Sequence, residues 1–185
     1  MKMYDTPHAL NDYLDRHFEC DCGKTHYAPL KAVYIGAGAV KEIASFLKEQ
    51  DYQHPFLIAD SITYKIAGET CMAILKENKI DASIHVISHL GFDEATVGEL
   101  LTVMPMDTDI LVAVGTGTIN DMTRFFSYHT GRPFMTIATA APMDGFASSI
   151  AAIYVNNLKT TFEAQTPVAI IGDTDILKNA PYRMI

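Results

Sequence analysis

The sequence predicts an α/β domain, a parallel sheet with flanking helices and one β-hairpin. Three observations carry that expectation. Apolar runs of strand length, among them "AVYIG", "PFLIAD" and "DILVAVG", alternate with longer stretches of helical period. The runs are apolar nearly throughout, the pattern of strands buried on both faces by crossover helices. Glycine-rich turns join several runs to the helices that follow them.

In order along the chain, residues 7–18 predict an acidic amphipathic helix. Together with the segment "CDCGKTHYAPL" it makes an arm over residues 1–29, ahead of an α/β domain over residues 30–185. "AVYIG" predicts a strand, and "AVKEIASFLKEQ" a helix with Val40, Ile43, Ala44 and Leu47 on one face. "PFLIAD" then leads into the helix "SITYKIAGETCMAILKEN", whose buried stripe carries Cys71 between Ala67 and Leu75. "SIHVIS" and "DILVAVG" are strands, followed by the helices "DEATVGELLTVM" and "TINDMTRFFSYHT" respectively. "PFMTIAT" and "VAIIG" are further strands. Between them, "SIAAIYVNNLKTTFEAQ" breaks the alternation: two β-rich runs flank Asn156-Asn157, residues that tolerate positive φ, and predict a hairpin.

Composition excludes several classes of function. With 14 Lys plus Arg against 22 Asp plus Glu, the net charge of −8 argues against a nucleic-acid partner. No apolar stretch approaches the roughly 20 residues of a membrane span, and the first residues lack the apolar core of a secretory signal. Three cysteines, an odd number, argue against a disulfide framework and for a reducing cytoplasm.

Three glycine loops are candidate phosphate sites. In "VYIGAGAVKEI" a strand meets G-x-G, and Asp60 ends the next strand 22 residues after Gly38, in the manner of a Rossmann dinucleotide fingerprint. Lys41 occupies the position of the third glycine, and a plain βα turn explains the loop equally well. Asp60 sits where parallel sheets bind ligands, or else caps the helix after it. "CGKTH" has the tail of a P-loop but Phe18 where its first glycine belongs, and is rejected. In "VAVGTGTIND", Gly115 and Gly117 follow a buried strand and a helix begins near Thr118, so backbone N–H groups and the helix dipole favour an anion. A capping box between Thr118 and Asp121 is the plain structural reading, compatible with the first because a cap uses some of the free N–H groups and an anion the others.

Downstream, the segments "TAAPMDGFAS", "LKTTFEAQTP" and "GDTDILKNAPYRM" follow the "GTGTIND" loop in an order and spacing that resembles the sn-glycerol-1-phosphate dehydrogenases. These are relatives of glycerol dehydrogenase and, more distantly, of 3-dehydroquinate synthase; the resemblance covers roughly residues 30–185. It implies a Rossmann-like, dehydroquinate synthase-like N-terminal domain that binds NAD(P). It assigns Gly115, Thr116, Gly117, Thr118 and Ile119 to the pyrophosphate, and Asp60 to the adenosine ribose. Thr139, Ala140, Ala141 and Pro142 would line the cofactor, Ser148 would add a contact, and Asp144 would face the substrate. A carboxylate at Asp60 leans towards NADH over NADPH.

The implied reaction is hydride transfer between NAD(P)H and dihydroxyacetone phosphate, giving sn-glycerol 1-phosphate, with a divalent metal such as zinc polarising the carbonyl. In that family an Asp and two His hold the metal, beyond a segment matching "PYRMI". None of the seven histidines here matches them, so the expectation is a cofactor-binding half without turnover of its own. An exposed interface for the missing half would favour a homo-oligomer. The alternatives are a lyase of the dehydroquinate synthase type and a stand-alone nucleotide-binding module. Separately, Cys20, Cys22 and His26 make a candidate metal site whose fourth ligand requires His17 to reach back; otherwise they are an edge segment with reduced thiols.

Overall fold

The computed structural model describes residues 13–88 and 91–184. An antiparallel hairpin opens it, β1 (Arg16–Glu19) with β2 (Thr25–Ala28). The α/β unit follows: β3 (Ala32–Gly36), a 3-10 turn, α1 (Glu42–Glu49), β4 (Pro55–Asp60), and a helical run over residues 61–77. That run is α2 (Ser61–Thr63), a π-helical stretch (Tyr64–Gly68) and α3 (Glu69–Glu77). Next come β5 (Ser83–Ile87), α4 (Glu94–Val103), β6 (Ile110–Val114), α5 (Gly117–Thr130) and β7 (Phe134–Ile137). A second hairpin, β8 (Ile150–Val155) with β9 (Leu158–Glu163), precedes β10 (Ala169–Asp173) and the single turn α6 (Thr174–Leu177).

Six strands form one parallel sheet in the order β3-β10-β7-β6-β4-β5. Both faces are covered, and the side chains of each strand divide between them with period two. Leu57 and Ala59 of β4, with Ile110, Val112 and Val114 of β6, join one apolar cluster containing Ile43, Phe46 and Leu47 of α1 and Cys71 and Leu75 of α3. Phe56, Ile58, Leu111 and Ala113 join the opposite cluster, with Leu100 of α4, Met122 and Phe126 of α5, and Ala151 and Ile153 of β8. The α/β expectation is met, and the near-continuous apolar runs are explained by burial on both sides. Asn156 and Asn157 turn the second hairpin with φ of 49° and 63°, the positive values that a two-residue turn requires.

The sheet reverses its winding once. From β4 the chain moves to the β5 edge through α3, on one face; from β6 it moves to β7 through α5, on the other. The crevice between the C-terminal ends of β4 and β6 is therefore the topological switch point, where open parallel sheets bind ligands.

The expected helix over residues 7–18 is corrected. Residues 7–12 lie outside the described part, and residues 16–19 are strand β1. Cross-strand contacts override the helical period: His17 stacks on Tyr27 at 4.1 Å between ring centroids, Phe18 stacks on His26 at 5.9 Å, and Thr25 Oγ1 donates to Glu19 at 2.7 Å.

Candidate functional site

At the switch point lies a cleft of about 540 Å³. Its lining brings together Asp60 from the end of β4, Thr116, Gly117, Thr118 and Ile119 from the β6–α5 turn, and Thr139 and Ala140 beyond β7. These residues come from three separate parts of the sequence, all at the C-terminal ends of adjacent strands. Ala141, Pro142, Asp144 and Ser148 are not part of the lining.

The β6–α5 turn is built by two glycines with different tasks. A Cβ on Gly115 would stand 2.6 Å from Ile119 Cβ, so only glycine lets the first helical turn close down on the strand end. Gly117 has φ of +44° and open space where its side chain would be. The helix begins there rather than at Thr118, with Thr116 as its N-cap residue. The expected Thr118–Asp121 capping box is absent among the described residues. Asp121 is instead drawn to Arg124 at 2.7 Å, and no described side chain caps α5. Thr116 Oγ1 is buried without a hydrogen-bond partner among the described residues. The N-terminus of a 14-residue helix thus opens on the cleft with an unpaired hydroxyl beside it, and the dipole of such a helix favours an anion there.

Across the cleft, Asp60 caps α2 in a capping box. Its Oδ1 accepts from the Ile62 and Thr63 N–H groups at 2.8 Å each, and Thr63 Oγ1 accepts from the Asp60 N–H at 3.0 Å. The capping role weighed for Asp60 is therefore filled. Because both cap bonds end on Oδ1, the cap leaves Oδ2 for a ligand.

The first glycine loop is spoken for. The Gly38 and Val40 N–H groups donate to the two oxygens of Asp173, at 3.2 and 3.0 Å. Asp173 is 2% exposed and also accepts from the Asp175 N–H at 2.9 Å. Burial opposes its ionisation, but backbone donors from Val40, Asp175, Gly38 and Ile176 outweigh that and hold the carboxyl below its usual range. An internal carboxylate takes the anion position of the "GAG" turn, leaving the β6–α5 turn as the open one.

Asp144 lies exposed in the loop between β7 and β8. That loop is gripped by Arg124, 1% exposed, whose guanidinium donates to the carbonyls of Gly145 (2.5 Å), Phe146 (3.0 Å) and Ile150 (3.0 Å). Burial raises the Asp121 carboxyl above its usual range even with Arg124 beside it. Ser148 Oγ accepts from the Ile150 N–H at 3.1 Å.

Sequence reasoning missed the other half of the lining. Ile62, Thr63 and Ile66 come from the helix start and π stretch after β4, and Met122 from α5. Ile176, Asn179, Ala180, Pro181 and Met184 come from the segment after β10. The signal for that segment was its place directly after an apolar run, but only the position of β10 inside the sheet aims it at the cleft.

A family profile described as iron-containing alcohol dehydrogenase matches residues 34–181. The chain belongs to the iron-containing alcohol dehydrogenase family. Within that family it is similar to the glycerol-1-phosphate dehydrogenase (NAD(P)+) of Halalkalibacterium halodurans, 35% identical over 173 residues, covering 90% of this chain and 43% of that protein. The protein of the same name from Pyrococcus horikoshii is 35% identical over 160 residues, covering 84% and 44%. The chain therefore spans less than half the length of the curated relatives it matches. Among solved structures, glycerol dehydrogenase from Schizosaccharomyces pombe aligns with a TM-score of 0.76 at 21% identity, over 84% of this chain and 40% of that one. NADH-dependent butanol dehydrogenase A from Thermotoga maritima aligns with a TM-score of 0.77 at 14% identity, over 86% and 46%. Both bear out the fold. No helix among the described residues is long and apolar enough to cross a membrane.

Proposed function

We propose that the chain is the NAD(P)-binding half of a glycerol-1-phosphate dehydrogenase, which reduces dihydroxyacetone phosphate with NAD(P)H. The observation that carries the reading is the uncapped N-terminus of α5, with Thr116 Oγ1 unpaired, facing Asp60 across the cleft. A dinucleotide needs both partners: an anion site for pyrophosphate and an acceptor for ribose hydroxyls. The names of the relatives agree with it.

In this reading the turn Gly115, Thr116, Gly117, Thr118 and Ile119 holds the pyrophosphate, the Thr116 hydroxyl donating one of the bonds. Asp60 Oδ2 accepts from the adenosine ribose and repels a 2′-phosphate, favouring NADH. Thr139 and Ala140 contact the cofactor in the cleft, and Ala141, Pro142 and Ser148 meet it beyond the lining described above. The bound nicotinamide supplies the hydride. Asp144 faces the substrate and orients or relays a proton to its hydroxyl, with Arg124 positioning the loop that carries it. The cleft lining contains no group of three or more His, Cys, Asp or Glu side chains placed to hold a metal among the described residues. In this reading the described residues bind nucleotide, and the family's metal, zinc or a similar divalent ion, is held elsewhere. Free Cys20, Cys22 and Cys71 suit the reducing cytoplasm in which such an enzyme works.

Calorimetric titration of NADH and NADPH into the chain tests the reading, with Asp60→Asn as the discriminating variant. Asparagine caps a helix about as well as aspartate, so the fold is kept while the charge is lost. The expectation is saturable NADH binding, weakened roughly tenfold or more by the substitution on the scale of a charged hydrogen bond, and a reduced preference over NADPH. A folded chain that binds neither nucleotide, or an unchanged NADH/NADPH ratio in Asp60→Asn, overturns the assignment.

A further inference from the structure

We propose that Cys20, Cys22 and His26 form a zinc site at the tip of the β1–β2 hairpin, with solvent in the fourth position. The site is independent of the nucleotide cleft, whose lining contains none of these residues. Among the described residues this is the one group of three or more potential ligands whose donor atoms gather, all within 4.8 Å of one another. Cys22 Sγ and His26 Nε2 stand 3.2 Å apart. Tetrahedral zinc with bonds of about 2.0–2.3 Å spaces its ligand atoms roughly 3.3–3.8 Å apart. The half-buried Cys20 and the exposed Cys22 and His26 therefore need to close by about an ångström.

The turn between the strands is shaped for this. Gly23 N–H donates to the Cys20 carbonyl at 2.9 Å and Cys20 N–H to the Lys24 carbonyl at 3.1 Å. Gly23 has φ of +79°, which a side chain disfavours. This curl brings both thiols to the side of the hairpin where His26 lies. Two thiolates and one imidazole select zinc over the hard, oxygen-seeking cations. On binding, two thiol protons leave to solvent and the Zn²⁺ charge is neutralised.

His17 is excluded as the fourth ligand by the period of the strand. It pairs with Tyr27 and stacks on it, whereas Phe18 pairs with His26. Neighbouring residues of a strand point to opposite faces, so His17 faces away from the thiols.

The hairpin itself gives an independent reason for a metal. None of its described side chains joins either apolar cluster, β1 is largely exposed, and it forms a two-stranded sheet of its own. An isolated two-stranded hairpin is at best marginal in water. Small units of this kind commonly draw their folding energy from a metal.

The test is zinc titration of the reduced 185-residue chain against a chromophoric chelator, repeated with Co²⁺ for its thiolate charge-transfer and tetrahedral ligand-field bands. One equivalent should bind, with amide protection of residues 16–28 rising as it does. Cys20→Ser, Cys22→Ser and His26→Ala should each weaken binding by at least about 100-fold, since loss of an outer-shell partner alone costs roughly 10–100-fold. His17→Ala should bind as the parent does. NADH titration should be the same for all four variants, because the hairpin lies outside both apolar clusters and the cleft lining. Absence of stoichiometric zinc in the reduced chain overturns the proposal. So does zinc retained by Cys22→Ser and His26→Ala, or equal losses in His17→Ala and His26→Ala.

Discussion

Gly115→Ala is the sharpest perturbation of the β6–α5 turn. The added methyl would stand 2.6 Å from Ile119 Cβ and 3.0 Å from each of its Cγ atoms, where ordinary contacts begin near 3.4 Å. A Cβ is fixed to the backbone, so no rotamer of Ile119 relieves the clash and the first turn of α5 must recede by about 0.8 Å. Overpacking of this kind costs about 1–3 kcal/mol, which in a chain of this size lowers Tm by roughly 2–12 °C. The same movement displaces the N–H groups that face the cleft. Misplacement by about an ångström can cost roughly 100-fold in function, so NADH affinity should fall by one to two orders of magnitude. Thermal melts and calorimetric titration read the two effects separately. Ile119→Ala should not rescue Gly115→Ala, because alanine keeps the offending Cβ, whereas Ile119→Gly should partly restore nucleotide affinity. A Gly115→Ala chain as stable and as tight-binding as the parent refutes the reasoning, and so does rescue by Ile119→Ala.

Arg124→Lys should destabilise nearly as much as Arg124→Met, by about 3–5 kcal/mol in urea unfolding, because a point charge cannot serve Asp121, two loop carbonyls and the Ile150 carbonyl at the start of β8 at once; a lysine variant of parental stability counts against the clamp. Hydrogen exchange in the same variants should rise first at residues 145–150. Asp173→Asn should cost stability because an NH2 replaces one of the two oxygens that accept from the Gly38 and Val40 N–H groups, and the cost should depend on pH. The Asp173 pKa is depressed on folding, so its contribution is complete above the ordinary carboxylate value of 3.8 and is lost as pH falls through the lower folded value. The gap between parent and variant in denaturation should therefore be flat above about pH 5 and narrow below it; a gap that widens in acid contradicts the assignment.

The strands and helices of the α/β unit were legible because their burial is written in local periodicity. β4 and β6 read as apolar runs since helices cover both faces, and the Asn156-Asn157 turn carries its own conformational signature. What local pattern could not convey is pairing between distant segments. Residues 16–18 carry a helical period, and the ring contacts of His17 and Phe18 that make them a strand lie across a turn, in β2. The capping box was read from Thr118 and Asp121 because the competitor for Asp121, a buried Arg124 reaching the β7–β8 loop, is a tertiary partner. Asp173 was invisible as the occupant of the first glycine turn, 135 residues away from Gly38 in sequence, so two G-x-G turns of similar spelling looked alike. Once a fold partner fills one and not the other, they differ in kind.

The same long-range pairing has a consequence for synthesis. β3, the first strand of the large sheet to be made, has a single neighbour there, β10, and the register joins Ala32 with Ala169 and Gly36 with Asp173. At about 5–20 residues per second, β3 and its turn wait roughly 7–27 s on the ribosome before their partner strand exists. Throughout that interval β3 is an unpaired edge and the Gly38 and Val40 donors lack their carboxylate. β10 then has to enter between β3 and β7 rather than add to a margin. Sheet closure and completion of the cleft wall over residues 176–184 are thus one late event.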